Sequence, residues 1–468
     1  MRLVRLLAVV SAALGAAFLG AAAQGQTLTV TGASAKVCQL TGQNDWFTGQ
    51  PTNAQTLANY GLFGVDLGYP VESETGQLLF LFGDTVPNGH ASIPPPPTLP
   101  PDDAVGYTTR TAAPDSSTCL DMKMFSPAAQ QLTHPVVTPV LQQGSFNVPT
   151  GGIDWAGQIY GFFWTNHCLI QDAFGPNPTA PLTLPAAGTY CPEIALNNSL
   201  GVGVLAAAAP STPTAFTMVS PQAVMPNGFI YATAALPRPQ VLPIRRGAGR
   251  RAPPPMVPVF GVARYRASIP YLALAPRRSF SDVTSWWFYA GTGAQGPIWL
   301  TYAQWQGGQN NGQWAPPAGA ELYKDTPNPG SPTGDERCVG EHSVTWNAPL
   351  GVYLMLYTCG GLQVEARTAP YPWGPWSAPT IMLSAIQDTG LFCTLFWNLP
   401  TKSCPITVTT QQPAALTFGY LYAPFVMTRF TKAVPTFGKA KSARIYWLLS
   451  TWDPYQVTVM QTKLTLAP

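Results

Sequence analysis

One shape recurs along this 468-residue chain: a strand, a turn, then an apolar and aromatic strand ending on a small or polar residue. The endings are FLFGD (80–84), GFFWTN (161–166), WWFYAG (286–291), LMLYTC (354–359) and YWLLSTW (446–452). Short aromatic strands bounded by turns form sheets rather than helices. Units of three or four antiparallel strands, spread over a whole chain, fit a β-propeller, whose innermost strands converge on a central funnel. A double sandwich is the competing all-β architecture, but it gathers hairpin ends less naturally. Composition agrees with an all-β chain rich in loops. Gly (43) and Pro (50) are abundant and only 10% of residues are charged, which excludes coiled coils and long surface helices.

The first of these units, residues 64–85 (GVDLGYPVESETGQLLFLFGDT), carries the leading chemical signal. Turn chemistry lies in SETGQ, where Gly76 is free to take a positive φ. Asp66 and Asp84 flank that turn symmetrically about residue 75, so a regular hairpin places them opposite each other at its open end. Directly opposed like charges weaken a strand pair, so a hairpin with no other duty would avoid the arrangement. Asp154, in IDWAG, instead falls in a turn and belongs at the far end of its own hairpin.

Further candidates follow along the chain. Residues 259–274 (VFGVARYRASIPYLAL) alternate as one strand, with Arg264, Arg266 and Ser268 on one face. Segments 342–346 and 352–358 read as a hairpin, and a Cys338–Cys359 bridge would staple its open end beside Glu341. Trp452 and Tyr455 lie just past the last aromatic strand. If the hairpin ends converge, Asp66, Asp84 and Glu341 meet although they are far apart in sequence. Glycoside cleavage needs such carboxyls, one to protonate the leaving oxygen and one to attack or to activate water. Crowded carboxyls split their pKa values, which yields one acid and one base at neutral pH. Arg266, Trp452 and Tyr455 are the candidate substrate contacts.

The remaining features bound the function. Residues 1–23 read as a signal peptide, with Arg2 and Arg5 before an apolar run over 6–19 and an Ala-rich cleavage site, leaving 24–468 as a single propeller domain. The expected location is periplasmic or extracellular, with no stable membrane insertion after cleavage. Arg2 and Arg5 supply two of the three net positive charges, so the mature chain has no electrostatic footprint for nucleic acid. Eight cysteines, none in a C-x-x-C, favour disulfides over a zinc site. Proximity suggests Cys168–Cys191, Cys338–Cys359 and Cys393–Cys404, leaving Cys38–Cys119, although sequence does not determine connectivity. G-x-S-x-G, P-loop and H-E-x-x-H motifs are absent, and the four histidines are scattered. No cofactor is expected; a structural Ca2+ is the one ion the acids could hold.

The ordered set VDLGYPVE, FLFGDT, VPTGG, FGVARYRASIPYLAL, GEHSVTWN, ARTAPYPWGPWS and LLSTWDPYQVTVMQT resembles the bacterial secreted domain family DUF4185 over about residues 60–465. Members of that family include endo-D-arabinanases, glycoside hydrolases acting on mycobacterial cell-wall arabinan. The resemblance implies a five-bladed β-propeller whose acidic centre matches Asp66 in VDLG and Asp84 in FGDT, with Glu341 in GEHS as the third acid. The Pro-rich loops at 93–101, 170–190 and 240–258 exceed what a minimal propeller needs. The leading expectation is a secreted hydrolase of a polysaccharide, arabinofuranosyl in type. The alternatives are a non-catalytic carbohydrate-binding surface propeller and a structural envelope protein whose loops bind partners.

Overall fold

A computed structural model describes residues 27–87, 102–125, 147–165, 202–219, 224–236, 255–263, 266, 268–310, 313–324, 338–359, 363–384, 388–395, 421–436, 438–452 and 454–468. Five antiparallel sheets form the blades of a β-propeller. The innermost strands, in order from blade 1 to blade 5, are Leu62–Glu72, Asn147–Trp155, Tyr231–Ala234, Val339–Asn347 and Leu421–Val434. Each touches the next, and the fifth touches the first, so the ring is closed.

The recurring aromatic strands owe their composition to this stacking. Leu78–Pro87 and Val352–Cys359 are the second strands of blades 1 and 4. Leu78, Leu79, Phe80, Leu81 and Phe82 are all buried, as is every residue of Val352–Cys359. A strand with a neighbouring blade on each face has no solvent side, so it shows a continuous apolar run rather than alternation. Four of the five recurring endings belong to second strands. The exception, WWFYAG, leads into Trp287–Gly293, the fourth strand of blade 3.

Ring closure couples the two ends of the described chain. Thr27–Val30 and Ala35–Gln39 both pair with Gln456–Ala467, with Thr27 opposite Ala467 and Gln39 opposite Thr458. The Cys38–Cys119 disulfide ties this outer strand to blade 1, and Cys338–Cys359 joins the first two strands of blade 4, both as expected. Cys393 is also disulfide-bonded, but its expected partner Cys404 and the proposed Cys168–Cys191 bridge lie outside the described residues. The signal peptide, the arginine cluster at 245–251 and most of the three Pro-rich loops lie outside them too. Among the described residues no helix is long and apolar enough to cross a membrane.

One strand expectation needs correction. Residues 259–274 are not one strand. The strand Met256–Val262 ends, Arg266 turns with φ 52°, and Tyr271–Pro276 returns antiparallel to the first. Arg266 therefore lies in the connection between two strands rather than on a strand face, and Arg264 lies outside the described residues. Gly296–Thr301 is a strand, and the Thr301 hydroxyl caps the helix Tyr302–Gln306 with Gln304 completing a capping box.

Hydroxyls stitch the inner strands across blade seams. Thr150 Oγ1 donates to the Ala232 carbonyl at 2.7 Å, and Ser343 Oγ donates to the Pro424 carbonyl at 2.9 Å. Tyr69 of blade 1 reaches Thr233 of blade 3, with its hydroxyl 2.5 Å from Oγ1, and packs edge-on against Phe425 of blade 5. Buried side chains of three blades thus fill the axis at this level.

Candidate active site

Asp66 lies on the inner strand of blade 1 and is buried. It sits opposite Gly83, not Asp84. The register runs Gly64↔Val86, then Asp66↔Gly83, so Asp84 and Thr85 together oppose Val65 in a β-bulge. The expected symmetry about residue 75 is therefore off by one at Asp66, because the first strand carries an extra residue, Gly68, between Leu67 and Tyr69. In a regular ladder, Asp84 would point to the other face from its neighbour Gly83. A bulge re-aims side chains, and here the Asp66 charge acts directly on Asp84.

Glycines clear the space these groups occupy. A Cβ on Gly83 would lie 2.9 Å from Asp66 Oδ1, and one on Gly64 would lie 2.8 Å from the Tyr455 carbonyl oxygen. Immediately after Asp66, Leu67 takes φ 59°, and its N–H donates to Ser450 Oγ at 2.8 Å. Ala423, after Tyr422, takes φ 55°, and Arg266 itself takes φ 52°. A non-glycine residue in this region costs about 1–3 kcal/mol, and such strain collects at functional sites.

Glu341 comes from the inner strand of blade 4 and is 2% exposed. The register shifts between Val339 and His342, so Glu341 also sits in a bulge. Arg266 Nη2 donates to Glu341 Oε1 at 3.1 Å, and Thr358 Oγ1 donates to Oε2 at 3.4 Å. The Arg266 N–H is anchored on the Val339 carbonyl at 3.1 Å. Its side chain keeps 31% exposure while the guanidinium pairs with Glu341.

Blade 5 supplies the hydroxyls. Tyr422 donates to Asp66 Oδ2 at 3.0 Å, and its ring lies 6.0 Å from the Arg266 guanidinium carbon. Tyr455 is buried, and its hydroxyl hydrogen-bonds the Asp66 carboxyl from the turn after the strand Lys441–Thr451. Trp452 is half-buried and packs edge-on against Tyr455, with ring centroids 5.5 Å apart. Tyr422 was not among the residues singled out from the sequence. The aromatic pattern YLYAPF around it was the available signal.

Burial pushes the Asp66 carboxyl up to about 7, against the lowering pull of the Tyr455 and Tyr422 hydroxyls, and the Glu341 charge adds to the rise. Asp84 is pushed well above the ordinary carboxylate range by burial and then by the Asp66 charge. Its Oδ1 is buried and has no hydrogen-bond partner among the described residues. The Tyr455 hydroxyl is held well above its usual range by burial, then by the Asp66 charge. His342 is fully buried, its Nδ1 lies 2.9 Å from the Gly340 carbonyl, and burial lowers its pKa to about 4, so it is neutral at physiological pH. A neutral Nδ1–H donates to that carbonyl, which makes His342 a hydrogen-bonder within its strand.

The structure thus brings Asp66, Asp84, Glu341 and Arg266 into one electrostatic group, with Tyr455 beside it and Trp452 behind Tyr455. Asp154 stands apart, as expected. It ends the inner strand of blade 2, where Oδ2 accepts from Ser73 Oγ at 2.9 Å and from the Glu74 N–H at 2.8 Å, in the turn at the far end of the first hairpin. Among the described residues no three His, Cys, Asp or Glu side chains form a metal-binding group.

The chain is a five-bladed β-propeller with an acidic group built from several blades. Over residues 252–461 it matches the family model of DUF4185, a domain of unknown function. No curated protein matches the chain. Solved structures similar to it include the α-L-arabinofuranosidase PaAbf62A from Podospora anserina, at 10% identity over 92% of this chain and 97% of that one, with a TM-score of 0.35. The GH43_1 enzyme from Xanthomonas citri complexed with xylose shows 11% identity over 86% and 87%, with a TM-score of 0.35. A mutant Trypanosoma rangeli sialidase with trans-sialidase activity shows 8% identity over 93% and 59%, with a TM-score of 0.37.

Proposed function

We propose that the protein is a secreted glycoside hydrolase that cleaves a polysaccharide, with an arabinofuranosyl chain of the endo-D-arabinanase type as the substrate. The observation that carries this reading is the unequal treatment of two neighbouring aspartates. Asp66 receives two tyrosine hydroxyl donors, which favour its ionised form, while the Asp84 carboxyl, held well above the usual range, keeps its proton. Asp84 is then the general acid, donating its proton to the glycosidic oxygen as the C–O bond breaks. Asp66 is the carboxylate that either attacks the anomeric carbon or takes the proton of the attacking water. Arg266, partly exposed and anchored on Glu341, is placed to hold sugar hydroxyls, and the Trp452 ring offers an apolar face to a sugar. Secretion agrees with the disulfides Cys38–Cys119 and Cys338–Cys359, which persist in oxidising compartments.

A non-catalytic carbohydrate-binding role is the competing reading, and the burial of Asp66 and Tyr455 is what favours it. Reducing-end release from arabinan, arabinogalactan and unrelated glycans separates the two. The expected result is release by wild type and a loss of about 100-fold or more in Asp84→Asn, the usual scale for removing a general acid. Equal activity in wild type and Asp84→Asn rejects catalysis by this pair. Unchanged glycan binding in Asp66→Ala rejects the placement of the site.

A further inference from the structure

Two carboxyls in one buried site need something that makes them unlike, and Tyr422 occupies the position from which to do it. It stands on the inner strand of blade 5 directly before a bulge, where Tyr422 pairs with Ser450 and Phe425 with Leu448. The backbone beyond it is held by the left-handed Ala423 and by Ser343 Oγ on the Pro424 carbonyl. The phenol therefore has little freedom, and its hydroxyl donates to Asp66 Oδ2 at 3.0 Å. On its other side the ring carries the Arg266 guanidinium, whose Nη2 bonds Glu341 Oε1 at 3.1 Å. One side chain thus touches both halves of the acidic group.

We propose that Tyr422 is a positioning residue that links the Arg266–Glu341 ion pair to Asp66 and keeps Asp66 the ionised member of the Asp66–Asp84 pair. The proposal rests on the acid–base reading of that pair. A hydroxyl donated to a carboxylate favours the ionised form, and a cation over the phenol ring strengthens the O–H as a donor. Glu341 would by itself oppose ionisation of Asp66, and its ion pair with Arg266 moderates that opposition. The other groups facing Asp66 are Asp84 from the second strand of blade 1 and Tyr455 from blade 5. Asp103 lies on the third strand of blade 1 at the level of the Asp84 bulge, and neutral His342 follows Glu341 in blade 4. Among the described residues Oδ1 of both aspartates lacks a hydrogen-bond partner, so the asymmetry is that Tyr422 bonds Asp66 Oδ2 while no side-chain hydroxyl bonds Asp84.

Tyr422→Phe removes the hydroxyl and keeps the ring. Two readouts are measured on wild type and Y422F. The first is the titration of the Asp66 carboxyl carbon in 13C-labelled protein, assigned by its absence in Asp66→Asn. The second is the pH profile of kcat/KM on a cleaved glycan. Loss of one charged hydrogen bond should raise the Asp66 titration by about one unit or more. The acidic limb of the profile should rise with it, lowering kcat/KM about tenfold below the wild-type midpoint, with recovery at high pH and KM little changed. Arg266→Gln should move the titration in the same direction by less, and this variant keeps the test standing if Y422F does not fold. An unshifted Asp66 titration overturns the proposal. So does loss of activity at every pH with the titration unmoved, because Tyr422 would then act on the substrate itself. If wild type cleaves no glycan the hydrolase reading fails, while the carboxyl titration still decides the role of Tyr422.

Discussion

Asp66 and Asp84 occupy positions that cost stability. Asp66 titrates near 7 in the folded protein, because burial outweighs its tyrosine donors, against an ordinary value of 3.8. Between those values the native state holds a proton that the unfolded chain releases, so stability falls as pH rises through that window. Asp84, held well above its ordinary value, adds a penalty of the same sign. Replacing either carboxyl by an amide removes a charge-burial cost that exists only above the window. Asp66→Asn should therefore be more stable than wild type at pH 8, by on the order of 2–4 kcal/mol, and Asp84→Asn should gain in the same direction, each with little advantage at pH 4. Urea unfolding at the two pH values measures this, and a gain of equal size at both would refute it. A group kept at such a cost is better explained by chemistry than by folding.

At the scale of elements, bulges and disulfides do the placing. Asp84 and Glu341 sit in bulges, and Tyr422 precedes one, so three of the polar side chains depend on local failures of strand register. The two described disulfides have different duties. Cys38–Cys119 closes a separation of 81 residues and joins the outermost strand of blade 5 to blade 1, far from the acids in the chain. Its removal as Cys38→Ser with Cys119→Ser should cost about 2–4 kcal/mol in chemical denaturation and leave kcat nearly unchanged. Cys338–Cys359 closes only 21 residues but brackets Glu341 and Thr358. Its removal should disturb the Arg266–Glu341 geometry and lower kcat in folded protein. If the long bridge affected kcat more than the short one, the assignment of the site to this end of blade 4 would fail.

For the whole molecule, the ring is closed twice: by Thr27–Val30 and Ala35–Gln39 on the last strand, and by the Arg429–Glu72 ion pair, at 2.7 Å, between blades 5 and 1. The axis is filled where Tyr69 meets Thr233 and Phe425. A polysaccharide would then lie across the acidic mouth rather than thread the ring. Tyr69→Phe, which keeps the ring and removes the bond to Thr233, should cost about 1 kcal/mol and leave glycan cleavage unaltered. Loss of cleavage with stability intact would place Tyr69 in the substrate path instead.

The fold class was legible because a strand packed on both faces has to be apolar along its whole length, and that run survives in the sequence at 78–82 and 354–359. The pairing of Cys338 with Cys359 was legible for a local reason, since both flank one hairpin. Asp66 and Asp84 were found for the same local reason, but a single inserted residue moved their register, and hydrophobic pattern cannot report a bulge. Arg266 was named for an alternation that does not exist, and it reaches Glu341 because the strand breaks into a left-handed turn. Tyr422 was out of reach, for it is 356 residues from Asp66 in the chain. Its contact exists only because the last blade closes on the first. The sequence by itself determined strands, turns and which acids end a hairpin, all of which follow from interactions between near neighbours. Only the tertiary structure decided which of those ends share a site, because that depends on ring closure and on where the ladders slip.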